Sequence, residues 1–130
     1  MTSTTDVTTD TSAARRNALG QYGERVAARH LVEQGMVLLD RNWRCEAGEI
    51  DLVLRDGDVL VVCEVKTRSS DAYGTPHEAV TPDKLERLKR LATFWAEAHE
   101  VRPGDVRIDL VAVHPQQRGA ALVEHVPGLV

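Results

Sequence analysis

Apolar and small residues recur at helical spacing in the first third of the chain, and this pattern predicts a helix over residues 15–34. Gly35 follows as a C-terminal stop. Gly20 and Gly23 each cost roughly 1 kcal/mol relative to alanine inside a helix, so we expect another element to approach the helix closely at these positions.

Three strands are predicted after this helix. Residues 36–39 form a short apolar run that leads toward Trp43, and two stronger apolar runs cover residues 49–55 and 59–67. Asp56-Gly57 lies between the two stronger runs, and an Asp-Gly pair in that setting is a strong signal for a β-hairpin.

The second half of the chain predicts one more helix and two more strands. Thr81-Pro82-Asp83 supplies an N-cap, a proline at the first helical position and an acid in the first turn, so a helix runs to about His99. Residues 106–113 and 121–126 have strand patterns. The order αβββαββ indicates an α/β fold in which helices flank a central mixed β-sheet.

Length and composition narrow the class of protein. A chain of 130 residues that is 42% hydrophobic corresponds to one domain with enough apolar surface for a core. It has no run near the ~18 apolar residues that cross a bilayer and no secretory signal, so we expect a cytoplasmic protein without a membrane partner. Cys45 and Cys63 form no CxxC pair, and we expect two reduced thiols.

Charge is distributed unevenly along the chain. The formal net charge is −4, but residues 1–14 are mostly Thr, Ser and Ala with two Asp, a composition typical of a disordered tail. The predicted domain therefore covers residues 15–130, where 16 basic residues face 18 acidic ones. This balance argues against a polybasic nucleic-acid binder, which needs clustered Lys and Arg.

Side-chain alternation assigns the faces of the predicted hairpin. Glu49 and Asp51 share one face of its first strand, and Glu64 and Lys66 share one face of its second. The other face of the first strand is apolar and carries Ile50, Leu52 and Leu54. The charged residues are thus expected on one side of the hairpin.

The register of the hairpin decides how close these charges come. If the Asp-Gly pair forms a two-residue turn, Arg55 pairs with Asp58. Glu49 then lies opposite Glu64, and Asp51 lies diagonal to it. Diagonal neighbours are about 7–8 Å apart, which is close enough for two carboxylates to share one ion.

Like charges on facing strands destabilise a sheet, and a divalent cation would offset their repulsion. Mg²⁺ takes oxygen ligands, typically one or two carboxylates, with water and substrate phosphate completing its shell. Lys66, two residues from Glu64, would then lie beside a bound water or a scissile phosphate. The alternative is a solvated face with an ordinary cross-strand salt bridge. The apolar run at residues 59–65 that these charges interrupt favours a site.

The same residues resemble a known family. Asp51 followed by Glu64-Val65-Lys66, after a helix that carries Glu24, is similar to the PD-(D/E)xK nuclease superfamily. A larger ordered set of motifs resembles the YraN family: Gly20-x-x-Gly23-Glu24, Asn42-Trp43-Arg44, Gly48-Glu49-Ile50-Asp51-Leu52, Glu64-Val65-Lys66-x-Arg68, Gly74-x-Pro76-x-Glu78-Ala79-Val80 and Lys84. The resemblance implies a restriction-endonuclease-like core related to Holliday junction resolvases.

The resemblance also implies roles for individual residues. Asp51 and Glu64 would bind Mg²⁺ or Mn²⁺, and Lys66 would position or activate a water molecule. Glu24 would add a further acid and metal ligand from the first helix. Glu49 either binds a second ion or hydrogen-bonds nearby backbone.

DNA, double-stranded or branched, is the expected substrate. Arg68, Lys84 and Arg87 are candidates to hold its backbone near the site, and a solvated helix face explains Arg87 equally well. The loop at residues 73–76 either enters a groove or only connects two elements. Resolvase-like relatives cut two strands symmetrically, so the resemblance also implies a homodimer.

Three functions compete on this sequence. The leading one is a Mg²⁺-dependent DNA endonuclease that acts on branched or damaged DNA. The second is a non-catalytic nucleic-acid-binding accessory protein of DNA repair, recombination or uptake. The third is a small structural domain whose acids only bind ions. The combination of Asp51, Glu64 and Lys66 favours the first, because a protein that only binds DNA has no need of acids beside its phosphate-binding surface.

Overall fold

A computed structural model describes residues 3–68 and 80–129, with side chains from Ala13 onward. Its elements follow the predicted order αβββαββ. They are α1 (Ser3–Glu33), β1 (Val37–Cys45), β2 (Gly48–Asp56), β3 (Val59–Thr67), α2 (Pro82–Ala98), β4 (Asp105–His114) and β5 (Leu122–Val126). The α/β fold class is confirmed, and none of the described helices is long and apolar enough to cross a membrane.

The five strands form one mixed sheet in the order β1-β2-β3-β4-β5. Three of the four neighbouring pairs are antiparallel, and β3 and β4 are parallel. A parallel pair needs a crossover connection, which α2 supplies. Thr81 caps this helix by accepting a hydrogen bond from the Lys84 amide at 3.2 Å, as the N-cap pattern predicts.

Each face of the sheet is covered by one helix and its own apolar core. Leu88 and Trp95 of α2 pack on one face against Val62, and Ala27 and Leu31 of α1 pack on the other face. The α2 stripe arises because residues three and four apart share one side of a helix. Both faces of β3 are therefore buried, as its long apolar run predicts.

The helix α1 begins at Ser3, whereas the sequence pattern predicts a start at Arg15. No proline or glycine precedes Gly20, so nothing in the segment before Arg15 breaks a helix. The separation of a disordered tail at residues 1–14 from the domain at residues 15–130 stays a prediction.

The close approach expected at the α1 glycines is present at only one of them. A Cβ added to Gly23 would overlap Oγ1 of Thr67 and lie 2.9 Å from its Cβ, so β3 touches the helix backbone there. Gly20 has nothing within 4 Å of an added Cβ, so the expectation is wrong at that position. Gly23 thus sets the separation between α1 and β3, one residue before Glu24.

The hairpin between β2 and β3 has a different register from the predicted one. Arg55 pairs with Leu60 and Asp56 pairs with Val59, so the turn is Gly57-Asp58 and the predicted Arg55–Asp58 pair is wrong. Gly57 adopts a left-handed φ of 60°, which glycine tolerates without strain. A shift of two residues leaves every side chain on its face, so alternation alone cannot detect it.

The predicted face of Ile50 is also wrong. Ile50 packs in the α2-side core with Val53, whereas Leu52 and Leu54 pack in the α1-side core. Strict alternation would put Ile50 and Leu52 on one face. The alternation therefore breaks at Asp51, the residue between them.

Both described cysteines are free thiols, as predicted. Cys63 is fully buried in the α1-side core, and burial raises the pKa of its thiol well above the usual range. A protonated, inaccessible thiol is chemically inert, so Cys63 is a packing residue.

Candidate functional site

The two predicted metal-binding acids meet where β2 and β3 stop pairing. The last pair of this ladder is Leu52 with Cys63. One residue further, Oδ2 of Asp51 accepts a hydrogen bond from the Val65 amide at 2.8 Å. A side-chain oxygen thus replaces a backbone partner at this point, and the Asp51 carboxylate turns toward Glu64 on the neighbouring strand.

Glu64 is buried and is held by two lysines. The exposed fraction of the residue is 7%. Its Oε2 lies 3.4 Å from Nζ of Lys66 and also accepts a hydrogen bond from Nζ of Lys84. A buried carboxylate is costly unless it is paired, and here one ammonium comes from β3 and the other from α2.

The pairing places Lys84 inside the acidic cluster, whereas the sequence predicts it on a DNA-binding surface. Burial alone would lower the pKa of Lys84, but its hydrogen bond to Glu64 and the Glu64 charge raise that pKa above the usual value. Lys84 therefore stays a cation at neutral pH. Its side chain is 28% exposed, so it is deeper than Lys66, whose side chain is 37% exposed.

Asp51 is the most perturbed acid of the cluster. Burial, followed by the charge of Glu64, raises the pKa of Asp51 to about 7, although the hydrogen bond from Val65 acts in the opposite direction. Asp51 also lies within hydrogen-bonding reach of Glu64. At neutral pH the Asp51 carboxyl is therefore protonated for much of the time, and its ionisation is unfavourable without a further positive charge.

Glu24 approaches the two carboxylates from α1. Burial and the charges of Glu49 and Glu64 raise the pKa of Glu24, whereas a hydrogen bond with the Asn42 side chain acts to lower it. Its charge in turn contributes to the raised pKa of Asp51. Glu24 is thus within electrostatic reach of the cluster.

Asn42 is a residue whose role the sequence reasoning missed. The pairing of β1 with β2 runs from Arg41–Leu52 directly to Trp43–Ile50, so Asn42 and Asp51 lie at the skipped step. Asn42 has a φ of 52°, a left-handed conformation that asparagine tolerates better than most residues. The distortion of β1 at Asn42 faces the break in alternation of β2 at Asp51. The sequence feature that could have indicated a role for Asn42 is the Asn42-Trp43-Arg44 motif.

The remaining predicted residues lie around this cluster. Glu49 pairs with Arg44 on β1 at 3.5 Å, and its side chain is 37% exposed. The Arg68 amide donates to the Val113 carbonyl at 2.9 Å, which continues the β3–β4 contact past the end of β3. Arg87 is exposed on α2, and its Cδ lies 3.6 Å from a Cβ built on Gly48. The loop at residues 73–76 lies outside the described residues.

The cluster fits a cation through two carboxylates. Among the described residues there is no group of three or more His, Cys, Asp or Glu side chains close enough to hold a metal ion. Asp51 and Glu64 nevertheless offer adjacent hard oxygen donors whose mutual repulsion a cation would relieve. Mg²⁺ commonly uses one or two carboxylates and takes its other ligands from water and phosphate, so the residues present suit it.

A second polar cluster surrounds a buried aspartate of β4. Asp109 is fully buried and accepts two hydrogen bonds from Arg107, at 2.8 and 3.1 Å, and one from His125 at 2.8 Å. Burial alone would raise the pKa of Asp109, but these bonds and one from the Gly128 amide lower it. Asp109 thus ties the segment after β5 to β4. The only sequence signal was one Asp inside an apolar strand.

Comparisons with known proteins identify the family. The model of the family described as "Uncharacterised protein family UPF0102" matches residues 23–113, a span that begins at Gly23 and contains Glu24, Asp51, Glu64 and Lys84. A UPF0102 protein of Nocardioides sp. is 65% identical over 123 residues, which cover 95% of this chain and 99% of the relative. A UPF0102 protein of Kineococcus radiotolerans is 62% identical over 115 residues, covering 88% and 94%.

A third relative, a UPF0102 protein of Streptomyces griseus subsp. griseus, is 56% identical over 115 residues, which cover 88% of this chain and 97% of the relative. The match thus extends over nearly the full length of both chains. The chain belongs to the UPF0102 family, which confirms the YraN resemblance of its motifs.

Proposed function

We propose that this protein is a metal-dependent DNA endonuclease of the PD-(D/E)xK superfamily that hydrolyses phosphodiester bonds in branched or damaged DNA. One observation carries the proposal: Asp51 and Glu64 are adjacent at the end of the β2–β3 ladder, with Lys66 3.4 Å from the Glu64 carboxylate. Two adjacent acids can hold a catalytic metal ion, and a lysine beside one of them can orient water or phosphate.

Each residue has a distinct task in this proposal. Asp51 and Glu64 would hold the cation, which would supply a water molecule of lowered pKa and offset charge on the phosphate. Lys66 orients the attacking water or the phosphate from the same strand as Glu64. Glu24, held by Asn42, contributes a further negative charge from α1.

Basic side chains near the cluster would guide the DNA backbone. Arg87 is exposed on α2 beside the start of β2, and Arg68 follows β3 directly. These cations provide local phosphate contacts on a chain whose net charge is −4. Such a balance fits weak, metal-dependent binding at one patch better than tight binding along a duplex.

A non-catalytic accessory role in DNA repair, recombination or uptake is the second candidate. It is favoured by the pairing of Glu64 with both Lys66 and Lys84, since the buried carboxylate is already neutralised by the chain itself. A protein of this kind would bind DNA through the same surface and would have no requirement for Mg²⁺.

Nuclease assays separate the two candidates. The purified protein is incubated with supercoiled, nicked, flapped and four-way-junction DNA in Mg²⁺ or Mn²⁺, beside Asp51→Ala and Lys66→Ala. We expect metal-dependent cleavage by the wild type and none by either variant, whereas Lys89→Ala, on the exposed side of α2, cleaves normally. Equal cleavage by wild type and Asp51→Ala would identify a contaminant. Junction binding without cleavage in either metal would favour the accessory role.

A further inference from the structure

We propose that Lys84 is an internal counter-ion of Glu64 that a divalent cation displaces, and that the displaced ammonium then binds a DNA phosphate. This inference rests on the proposed function, because it assumes that Glu64 binds a cation and that the substrate is DNA. It gives Lys84 a role in coupling the two binding events.

Lys84 occupies one of the two Glu64 oxygens that a cation could bind. Nζ of Lys84 contacts Oε2 of Glu64, the same oxygen that lies 3.4 Å from Nζ of Lys66. Glu64 is 7% exposed, so few other atoms can reach this oxygen. A hard cation with a double charge competes directly with the two ammonium groups for it.

Lys84 can also leave Glu64 without disturbing the fold. Its backbone is fixed in the first turn of α2, where the amide donates to Oγ1 of Thr81 at 3.2 Å. The four-carbon side chain can change rotamer while the helix stays in place, because lysine carries a compact charge on a flexible stem. Lys66 differs in that it extends from β3, the strand that also carries Glu64.

The released ammonium lies where a phosphate would approach. The Lys84 side chain is 28% exposed, so it reaches solvent as well as Glu64. Arg87 is exposed one helical turn further along α2 and faces the start of β2. Residues three apart on a helix are neighbours, so Lys84 and Arg87 can contact one phosphate backbone together.

Because Lys84 competes with the cation but helps to bind DNA, its removal should change the affinities for these two ligands in opposite directions. Lys84 competes with the cation for Glu64, so its removal strengthens cation binding when DNA is absent. It helps bind phosphate once the cation is present, so its removal weakens DNA binding in the presence of cation. A purely structural lysine predicts instead that cation binding weakens, because Glu64 loses the partner that orders it.

Calorimetry on the full chain tests the predicted increase in cation affinity. Mn²⁺ is titrated into wild type, Lys84→Met and Lys89→Met. Lys89 is the matched control, since it pairs with Glu86 at 3.4 Å on the exposed side of the same helix. We expect Lys84→Met to bind Mn²⁺ roughly 3- to 10-fold more tightly than wild type, in line with removal of one nearby like charge from a partly screened site. Lys89→Met stays within about twofold.

Fluorescence anisotropy with a labelled four-way junction in Ca²⁺ tests the predicted decrease in DNA affinity. We expect Lys84→Met to bind the junction roughly 10-fold more weakly than wild type and Lys84→Arg, which keeps the cation, to bind within about threefold. Circular dichroism melts establish that each variant is folded. Lys84→Gln, which can still donate to Glu64, replaces Lys84→Met if that variant does not fold.

The two titrations together distinguish the inference from the function on which it rests. Weaker Mn²⁺ binding by Lys84→Met than by wild type would make Lys84 a structural anchor and overturn the inference alone. Tighter Mn²⁺ binding with unchanged junction affinity would overturn the transfer of Lys84 to phosphate. No Mn²⁺ binding by wild type would overturn both the inference and the metal-dependent nuclease that it rests on.

Discussion

Replacing Asp51 with asparagine is expected to stabilise the metal-free protein at alkaline pH. The introduced side chain would be nearly isosteric with the protonated acid: its oxygen can accept the hydrogen bond from Val65, and its amide can donate to Glu64. The ionised Asp51 carboxylate can only accept, and it repels Glu64. The substitution therefore removes an unfavourable charge and keeps the local hydrogen bonds.

The magnitude follows from the raised pKa of Asp51. The native value is about 7 against 3.8 for the ordinary group, a difference of about 3 units at 1.36 kcal/mol each, so ionised Asp51 costs at most about 4 kcal/mol. Since the site is partly open to solvent, we expect about half of this, or ~2 kcal/mol.

The sign of the pH dependence follows from the same shift. The native state holds its Asp51 proton more tightly than the unfolded state, so stability falls as pH rises from about 4 to about 7. The gain from Asp51→Asn is therefore largest above pH 7. At pH 5 well over half of the penalty is absent in wild type, and the gain shrinks accordingly.

Urea unfolding in EDTA at pH 5.0 and pH 8.5 measures this difference. Asp58→Asn is the matched control, because Asp58 is an exposed aspartate in the hairpin turn. We expect the free energy of unfolding of Asp51→Asn to exceed that of wild type by ~2 kcal/mol at pH 8.5 and by less than ~1 kcal/mol at pH 5.0. A gain in unfolding free energy of equal size at both pH values, or a loss at pH 8.5, would refute the inference that ionised Asp51 destabilises the native state.

Two further predictions concern stability. Gly23→Ala is expected to lower the free energy of unfolding by about 2–3 kcal/mol, because the new Cβ overlaps Thr67, whereas Gly20→Ala raises it by up to about 1 kcal/mol through helix propensity. Similar melting temperatures for the two variants would contradict the close approach. Asp109→Ala is expected to cost about 3–5 kcal/mol in urea unfolding, since it removes the buried acceptor that Arg107, His125 and the Gly128 amide share, while exposed Asp105→Ala changes stability by less than about 0.5 kcal/mol.

The sequence pattern predicts the elements of this fold well because each arises from local physics. Helical spacing and the Thr81 cap place α2, and the Asp-Gly turn signal places the β2–β3 hairpin. The hairpin register was wrong by two residues, since alternation is unchanged by such a shift. The face of Ile50 was wrong because the hydrogen bond from Val65 to Asp51, a contact across strands, interrupts the alternation.

The site was predictable only in part. Asp51, Glu64 and Lys66 come together because all three lie on one hairpin, so local periodicity is informative about them. The pairing of Lys84 with Glu64 depends on how α2 packs over the sheet, which a sequence pattern does not encode. The buried Asp109 was missed for the same reason, since its partners come from β4, β5 and the segment after it.

The end of the β2–β3 ladder supports the proposal that these acids form a cation site and not a solvated face. If pairing continued in the observed register, Asp51 would lie directly opposite Glu64, and like charges in that position destabilise a sheet. The ladder instead stops at Leu52–Cys63, and the Asp51 side chain gives the Val65 amide the partner that it would otherwise lose. The chain thus satisfies its backbone while keeping two carboxylates in contact. A solvated charge pair requires no such arrangement, whereas a cation site requires both acids at one point.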